Sequence, residues 1–281
     1  MIMLKIGKKI LGILITLVVL HSAQLCWASE NQKFMMFDEI RLMKKPNLTK
    51  YGLKKLHLVP AAAMWPKGAA LDEPNAEYVK RYIKWEYPKK DIICLNIEHW
   101  PLALNRMDKK SVDRNIDKLL TVFRAAKLVR PNDLIGYYGI IPIRNYHAPV
   151  KNIQNEIVNW QEANQYLNRI AKEMDVIFPS LYTFYTDQNG WKKYAKANLQ
   201  EARRYGKPVY AFIWPQYHGS NKKLGGKFVG KEYWKVQLET VYQYADGVVI
   251  WTPWTNRGYW DENAGWWIAT KEFVSEKKLN K

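Results

Sequence analysis

Cysteine is scarce: the 281-residue chain has two, and Cys26 falls in an N-terminal segment that reads as removable. Without it Cys94 stands alone, no intramolecular disulfide can form, and an apolar core must hold the mature chain together. Cys94 sits inside an apolar run and reads as a small core residue rather than a nucleophile. Histidine is sparse as well. His21, His57, His99, His147 and His218 show no metal-ligand spacing, and neither a metal nor another cofactor is expected. No Gly-x-Gly-x-x-Gly turn follows an apolar run, which excludes the main dinucleotide-binding form of an α/β sheet. No Gly-x-Ser-x-Gly nucleophile turn occurs either.

One long hydrophobic run is present, Ile10 to Leu20, behind Lys5, Lys8 and Lys9 and ahead of Cys26-Trp27-Ala28. Basic, apolar and small-residue segments in that order read as a secretory signal peptide over residues 1–28, with an uncleaved anchor as the alternative. The expected product is secreted or periplasmic, has no stable membrane anchor, and comprises one domain over residues 29–281. Acidic residues are outnumbered, 26 against 44 Lys and Arg, and removing the three leader lysines leaves 41 against 26, a surplus of 15. That surplus would attract nucleic acid, anionic membranes or acidic polysaccharides. Export disfavours nucleic acid. Lysines in stretches such as "KKYAKANLQEARRYGK" also fit ordinary solvated helix faces.

Four segments share one pattern: "KKDIICLNIEHW", "PNDLIGYYGIIP", "EMDVIFPSLYTF" and "YADGVVIWTPW". Each places an aspartate, Asp91, Asp133, Asp175 or Asp246, before a short β-branched or aromatic run. "KFMMF" before Asp38, "HLVPAAAMW" and "PVYAFIW" add three more strands. Amphipathic stretches lie between them. In "SVDRNIDKLLTVFRAAKLV", Val112, Ile116, Leu119, Leu120 and Phe123 fall on one helical face. "IVNWQEANQYLNRIAKEM" and "KEYWKVQLETVYQYA" repeat the pattern. About seven strands alternating with helices imply parallel crossovers, and runs apolar on both faces imply buried strands. The reading adopted is a distorted, TIM-like (β/α) barrel; an open doubly wound sheet is the alternative. The aspartates would then fix loops at the N-terminal rim.

At the opposite rim the strand ends carry Asp38 and Glu39; Trp65; Asn96, Glu98, His99 and Trp100; Tyr137 and Tyr138; Tyr182 and Tyr185; Trp214 and Tyr217; Trp251 and Trp254. Flat rings with polar tips suit sugars, although they also serve as core and rim packing. Along the strand ending in Glu98, Cys94, Asn96 and Glu98 share one face and Ile93, Leu95 and Ile97 the other. Asn96 and Glu98 would project into the barrel mouth, roughly 7 Å apart. A partly dry aromatic pocket would favour the protonated carboxyl that a general acid needs. A rim glutamate paired with lysine or arginine is the competing reading.

"DIICLNIEHWP" resembles the strand of the hyaluronidase family of glycoside hydrolases that ends in Asp-x-Glu and a Trp. "GYYGIIPIRNY" is similar to that family's Gly-Phe-Tyr-Gly-Phe-Pro segment, and "IFPSLY" to its Tyr-Pro-Ser-Ile-Tyr. "EARRYGKPVYAFIW" and "GVVIWTPWTN" resemble its last two strand segments. The likeness keeps their order and spans Asp91 to Asn256; the N-terminal third matches poorly. It implies an endo-acting hydrolase of chains containing N-acetylhexosamine, with one glutamate as acid and then base and the substrate's acetamido oxygen as nucleophile. Carried over, Glu98 would protonate the glycosidic oxygen, Tyr182 would orient the acetamido group, and Trp251 would stack beneath that sugar. Such substrate-assisted enzymes depart from the two-carboxylate scheme.

Asn96 stands where the family has an aspartate. An amide carries no charge for a developing oxazolinium, yet it can hydrogen-bond the acetamide, as in the Asn-x-Glu pair of some endo-β-N-acetylglucosaminidases. The substrate assignment is therefore weaker than the general acid. Tyr138, Trp214, Tyr217, Tyr185 and Trp254 are expected to line subsites, and Arg144, with Asn145 and Tyr146, to meet an anionic sugar. The expected partner is a polysaccharide or oligosaccharide. Three rivals stay open: a barrel that binds glycan without turnover, a basic protein holding anionic envelope polymers, and a two-carboxylate glycosidase pairing Asp38 or Glu39 with Glu98.

Overall fold

The computed structural model describes residues 34–86, 91–255 and 258–280, so the expected leader and Asn256 lie outside the described residues. Strands and helices run in the order β1 (Met35–Glu39), β2 (Leu53–Lys55), β3 (His57–Pro60), α1 (Ala76–Glu86), β4 (Ile92–Asn96), α2 (Lys109–Val129), β5 (Leu134–Tyr137), α3 (His147–Lys151), α4 (Gln154–Tyr166), α5 (Asn168–Glu173), α6 (Gln188–Arg203), β6 (Tyr210–Ile213), α7 (Lys231–Tyr244), β7 (Gly247–Trp251) and α8 (Gly265–Glu276). All strand pairings are parallel, in two sheets ordered β2-β1-β7-β6 and β3-β4-β5. Residues 175–183 join the sheets. Phe178 bridges to Tyr138 on one side, and Ile177 and Ser180 bridge to Val209 and Phe212 on the other. The result is an α/β fold, a distorted (β/α) barrel whose end strands, β2 and β3, are separated in the chain by Leu56 alone.

Alternation along the strands sorts side chains into two apolar bodies. Phe37, Leu58, Cys94, Phe178, Phe212 and Val249 fill the barrel interior. Met36, Val59, Ile93, Leu95, Ile135, Ile213, Val248 and Ile250 face the helices. Each such side chain removed from water contributes roughly 1.5–3 kcal/mol, so both faces drive the fold. The helix layer follows the expected pattern. Val112, Ile116, Leu119, Leu120 and Phe123 are buried on one face of α2, whose first turn is capped by Asp108 accepting from the Ser111 amide at 2.9 Å.

The rim aspartates do what their placement predicts. Asp133 accepts from the Asp91 amide, Asp175 from the Ile135 amide at 3.0 Å, and Asp246 from the Val209 amide at 2.8 Å. Each ties down the start of a neighbouring strand. Arg130, Lys127 and Arg203 neutralise the three carboxylates, and His57 pairs with Asp91.

Four expectations are corrected. The strand expected in "EMDVIFPSLYTF" is a series of isolated bridges, because Pro179 has no N–H to offer and interrupts the ladder. Leu53-Lys54-Lys55, too short and too charged to read as a strand, forms β2 instead. The opening strand does not stop before Asp38; it runs through Glu39, which pairs in register with Trp251. The single helix expected from "IVNWQEANQYLNRIAKEM" divides at Leu167 into α4 and α5.

Candidate active site

The end of β4 supplies the centre of the site. Cys94 lies in the interior cluster while Ile93, Leu95 and Ile97 lie under the helices, so the predicted sidedness holds. Asn96 is half-buried, and its Oδ1 is buried without a hydrogen-bond partner among the described residues. Two residues on, Glu98 is exposed and makes no salt bridge among the described residues. Its exposure corrects the expectation of a partly dry pocket: in the free protein this carboxyl stands in water at the lip of the mouth.

Aromatic rings build the wall beside it. Tyr182 stacks on Trp251 with ring centroids 5.3 Å apart and planes 20° from parallel. Trp214 meets both rings edge-on, at 5.5 Å and 5.2 Å. Tyr138 stands 6.1 Å from Tyr182 and donates its hydroxyl to Ser180 Oγ at 3.1 Å. Burial pushes the Tyr138 phenol up to about 12 and the Tyr182 phenol well above its ordinary value, and the Glu98 charge opposes ionisation of both. Both tyrosines are therefore neutral hydroxyls at neutral pH. Gly139, which follows Tyr138, takes a left-handed φ of 64° that suits glycine, and its amide donates to Phe178 O at 2.9 Å.

Nothing in the sequence marks His218 beyond its lack of metal-ligand spacing. Its ring stacks 6.1 Å from Tyr182, and its Nδ1 accepts from the Ser220 amide at 3.1 Å. Nε2 therefore carries the proton in the neutral ring. Burial, reinforced by the Arg144 charge, lowers its proton affinity. Ser180 and Arg106 were missed as well. Their signal is topological: Ser180 bridges to Phe212 and Arg106 lies in the loop between β4 and α2, and nothing in the local sequence marks either place.

Three cavities run together. One of about 260 Å³ is walled by Asn96, Glu98, Tyr182, Trp214, His218 and Trp251. It shares Glu98, Tyr138 and Arg144 with a second of about 310 Å³. That one shares Arg106 and Arg144 with a third of about 450 Å³, bordered by Tyr146, Asn145 and Trp160. Glu98 stands at the join between an aromatic end and a cationic end. The Arg144 guanidinium lies 4.9 Å over the Phe184 ring and borders all three cavities.

Other candidates fall outside these walls. Tyr217 belongs to the helix-facing core, 6.4 Å from Tyr233, because the chain after Trp214 turns its ring outward. Tyr185 is exposed against Tyr146, and Trp254 is exposed with Arg41 over its ring. Trp65 and Trp100 pack together in the outer core, and the Tyr137 hydroxyl donates to Leu119 O. His99 bonds the Leu71 carbonyl. Asp38 is bound to Lys45, and Glu39 accepts from Arg41 Nη2 at 2.6 Å. Burial lifts Cys94 well above the usual thiol range, so it stays a protonated core residue. No cluster of metal-ligating side chains occurs among the described residues, nor does a helix long and apolar enough to cross a membrane.

No family model matches this sequence, and no curated protein matches it. Solved structures do. Bee venom hyaluronidase superposes with a TM-score of 0.62 at 13% identity, over 89% of this chain and 100% of that one. Its complex with a hyaluronic acid tetramer gives the same TM-score at 14% identity, over 89% and 97%. At such identity the likeness is one of fold: this chain has a distorted (β/α) barrel like theirs.

Proposed function

We propose that the protein is an exported glycoside hydrolase, a single barrel over residues 29–281, that cuts within polysaccharides containing N-acetylhexosamine. The observation that carries this reading is an unpaired, exposed Glu98 at the junction of the cavities, beside the stacked Tyr182–Trp251 wall. Glu98 donates its proton to the glycosidic oxygen as the bond from that oxygen to the anomeric carbon breaks. The substrate's acetamido oxygen forms the new bond to that carbon, giving an oxazolinium ion. The Glu98 carboxylate then takes a proton from the water that opens the ring. Asn96 and Tyr182 hold the acetamido group, and Trp251 lies beneath that sugar. Binding a chain removes water from the lip, which supplies the dry surroundings that the free protein lacks. Trp214 and Tyr138 contact adjacent sugars, and Arg144 favours an anionic substituent. Asp38 and Glu39 are already engaged by cations, which supports the one-carboxylate scheme over a carboxylate pair.

Glu98→Gln tests the mechanism. Reducing-end release from glycosaminoglycans and bacterial exopolysaccharides should fall by about 10³ or more, with chain binding within roughly twofold of wild type. Unchanged turnover would remove Glu98 from the chemistry. Binding by the wild type without any product would favour the glycan-binding barrel instead.

A further inference from the structure

Glu39 is 4% exposed, and the strand alternation that buries Phe37 in the barrel interior turns it the same way. A carboxylate there is costly, and a buried ion pair contributes little net stability. Its physical use is to fix a position. Arg41, whose Nη2 donates to Glu39 at 2.6 Å, lies with its guanidinium carbon 4.0 Å from the centroid of the Trp254 ring. Arg41 Nε is buried with no partner among the described residues, so the guanidinium is set by the carboxylate and the indole. The backbone reinforces the arrangement: Arg41 N donates to Thr252 Oγ1 at 2.6 Å and Thr252 N to Glu39 O at 3.2 Å. Trp254 itself is 42% exposed, three residues beyond Trp251. An exposed indole on a loop normally samples several rotamers; this one has one face occupied by a cation anchored in the core.

We propose that Trp254 is an outer stacking platform for a sugar ring of the same glycan chain that lies on Glu98, and that Glu39 positions it through Arg41. The ligand class is a pyranose presenting its apolar C–H face, and the platform extends the cleft beyond the Trp251 subsite. Pre-fixing the indole spares the rotamer entropy that stacking would otherwise cost. Glu39 and Arg41 are positioning residues and do not touch substrate.

This rests on reading the cleft as glycan-binding, and the test separates the two. In a Glu98→Gln background, binding of hyaluronan, chondroitin and poly-N-acetylglucosamine is measured with tetrasaccharides and with long chains. Trp254→Ala and Arg41→Ala should each weaken long-chain binding roughly fivefold to tenfold and change tetrasaccharide binding less than about twofold. Glu39→Gln should weaken long chains to a smaller extent, since the amide still accepts from Arg41 without its charge. Without any ligand, Arg41→Ala should increase acrylamide quenching of tryptophan fluorescence, and that gain should vanish when Trp254 is also replaced. Long-chain binding unaffected by either alanine, with tetrasaccharides still bound, overturns the platform and leaves the hydrolase reading intact. Failure of every chain to bind the parent protein overturns both.

Discussion

At the scale of single residues, Glu98 and Asn96 were legible because a strand's period of two settles which side chains share a face. His218 was not, since its place depends on how the chain after β6 folds back to Tyr182 and Ser220. Glu39 carries the sharpest pH prediction. Burial, only partly offset by Arg41, raises its carboxyl from 4.5 to about 7. The folded state therefore binds this proton more tightly than the unfolded chain does. The stability it confers is full below the unfolded value and is lost as pH rises through the folded one. Between pH 4.5 and about 7 folding free energy should fall by about 3 kcal/mol from this group. Thermal unfolding of Glu39→Gln should show that much less pH dependence, and a parallel slope in the two proteins would refute the assignment.

Among elements, the amphipathic α2 and α7 were readable because their apolar positions repeat at helical spacing and each packs as a unit. The 175–183 segment misled because its composition is that of a strand while Pro179 denies it a ladder. What holds it against β5 is an approach of backbones that no periodicity encodes. A Cβ built on Gly136 would lie 2.1 Å from the Val176 carbonyl oxygen. Gly136→Ala should therefore push the segment away and destabilise the protein by about 3 kcal/mol. A denaturant midpoint equal to wild type would show that the two backbones have room to part.

For the whole molecule, the net charge of +18 left two readings open. Many cations turn out to be occupied: Arg130, Lys127 and Arg203 at the rim, and Arg41 and Lys45 beside β1. Binding of an acidic chain in the aromatic cleft should weaken less than about tenfold between roughly 0.05 and 0.5 M salt, because stacking is not screened. A fall of about a hundredfold or more would point to a diffuse basic surface as the binding agent. The (β/α) alternation was visible in the sequence, whereas the meeting of two cavities at Glu98 and of all three at Arg144 was not, since it depends on residues drawn from distant loops. The collar of aspartates has a practical corollary. The aspartates fasten the pole opposite the proposed recognition site, so an exposed side chain at the mouth such as Glu98 takes no part in holding the strand starts together. An inactive variant made at the exposed Glu98 should accordingly be a well-folded one, and its silence can be read as lost chemistry.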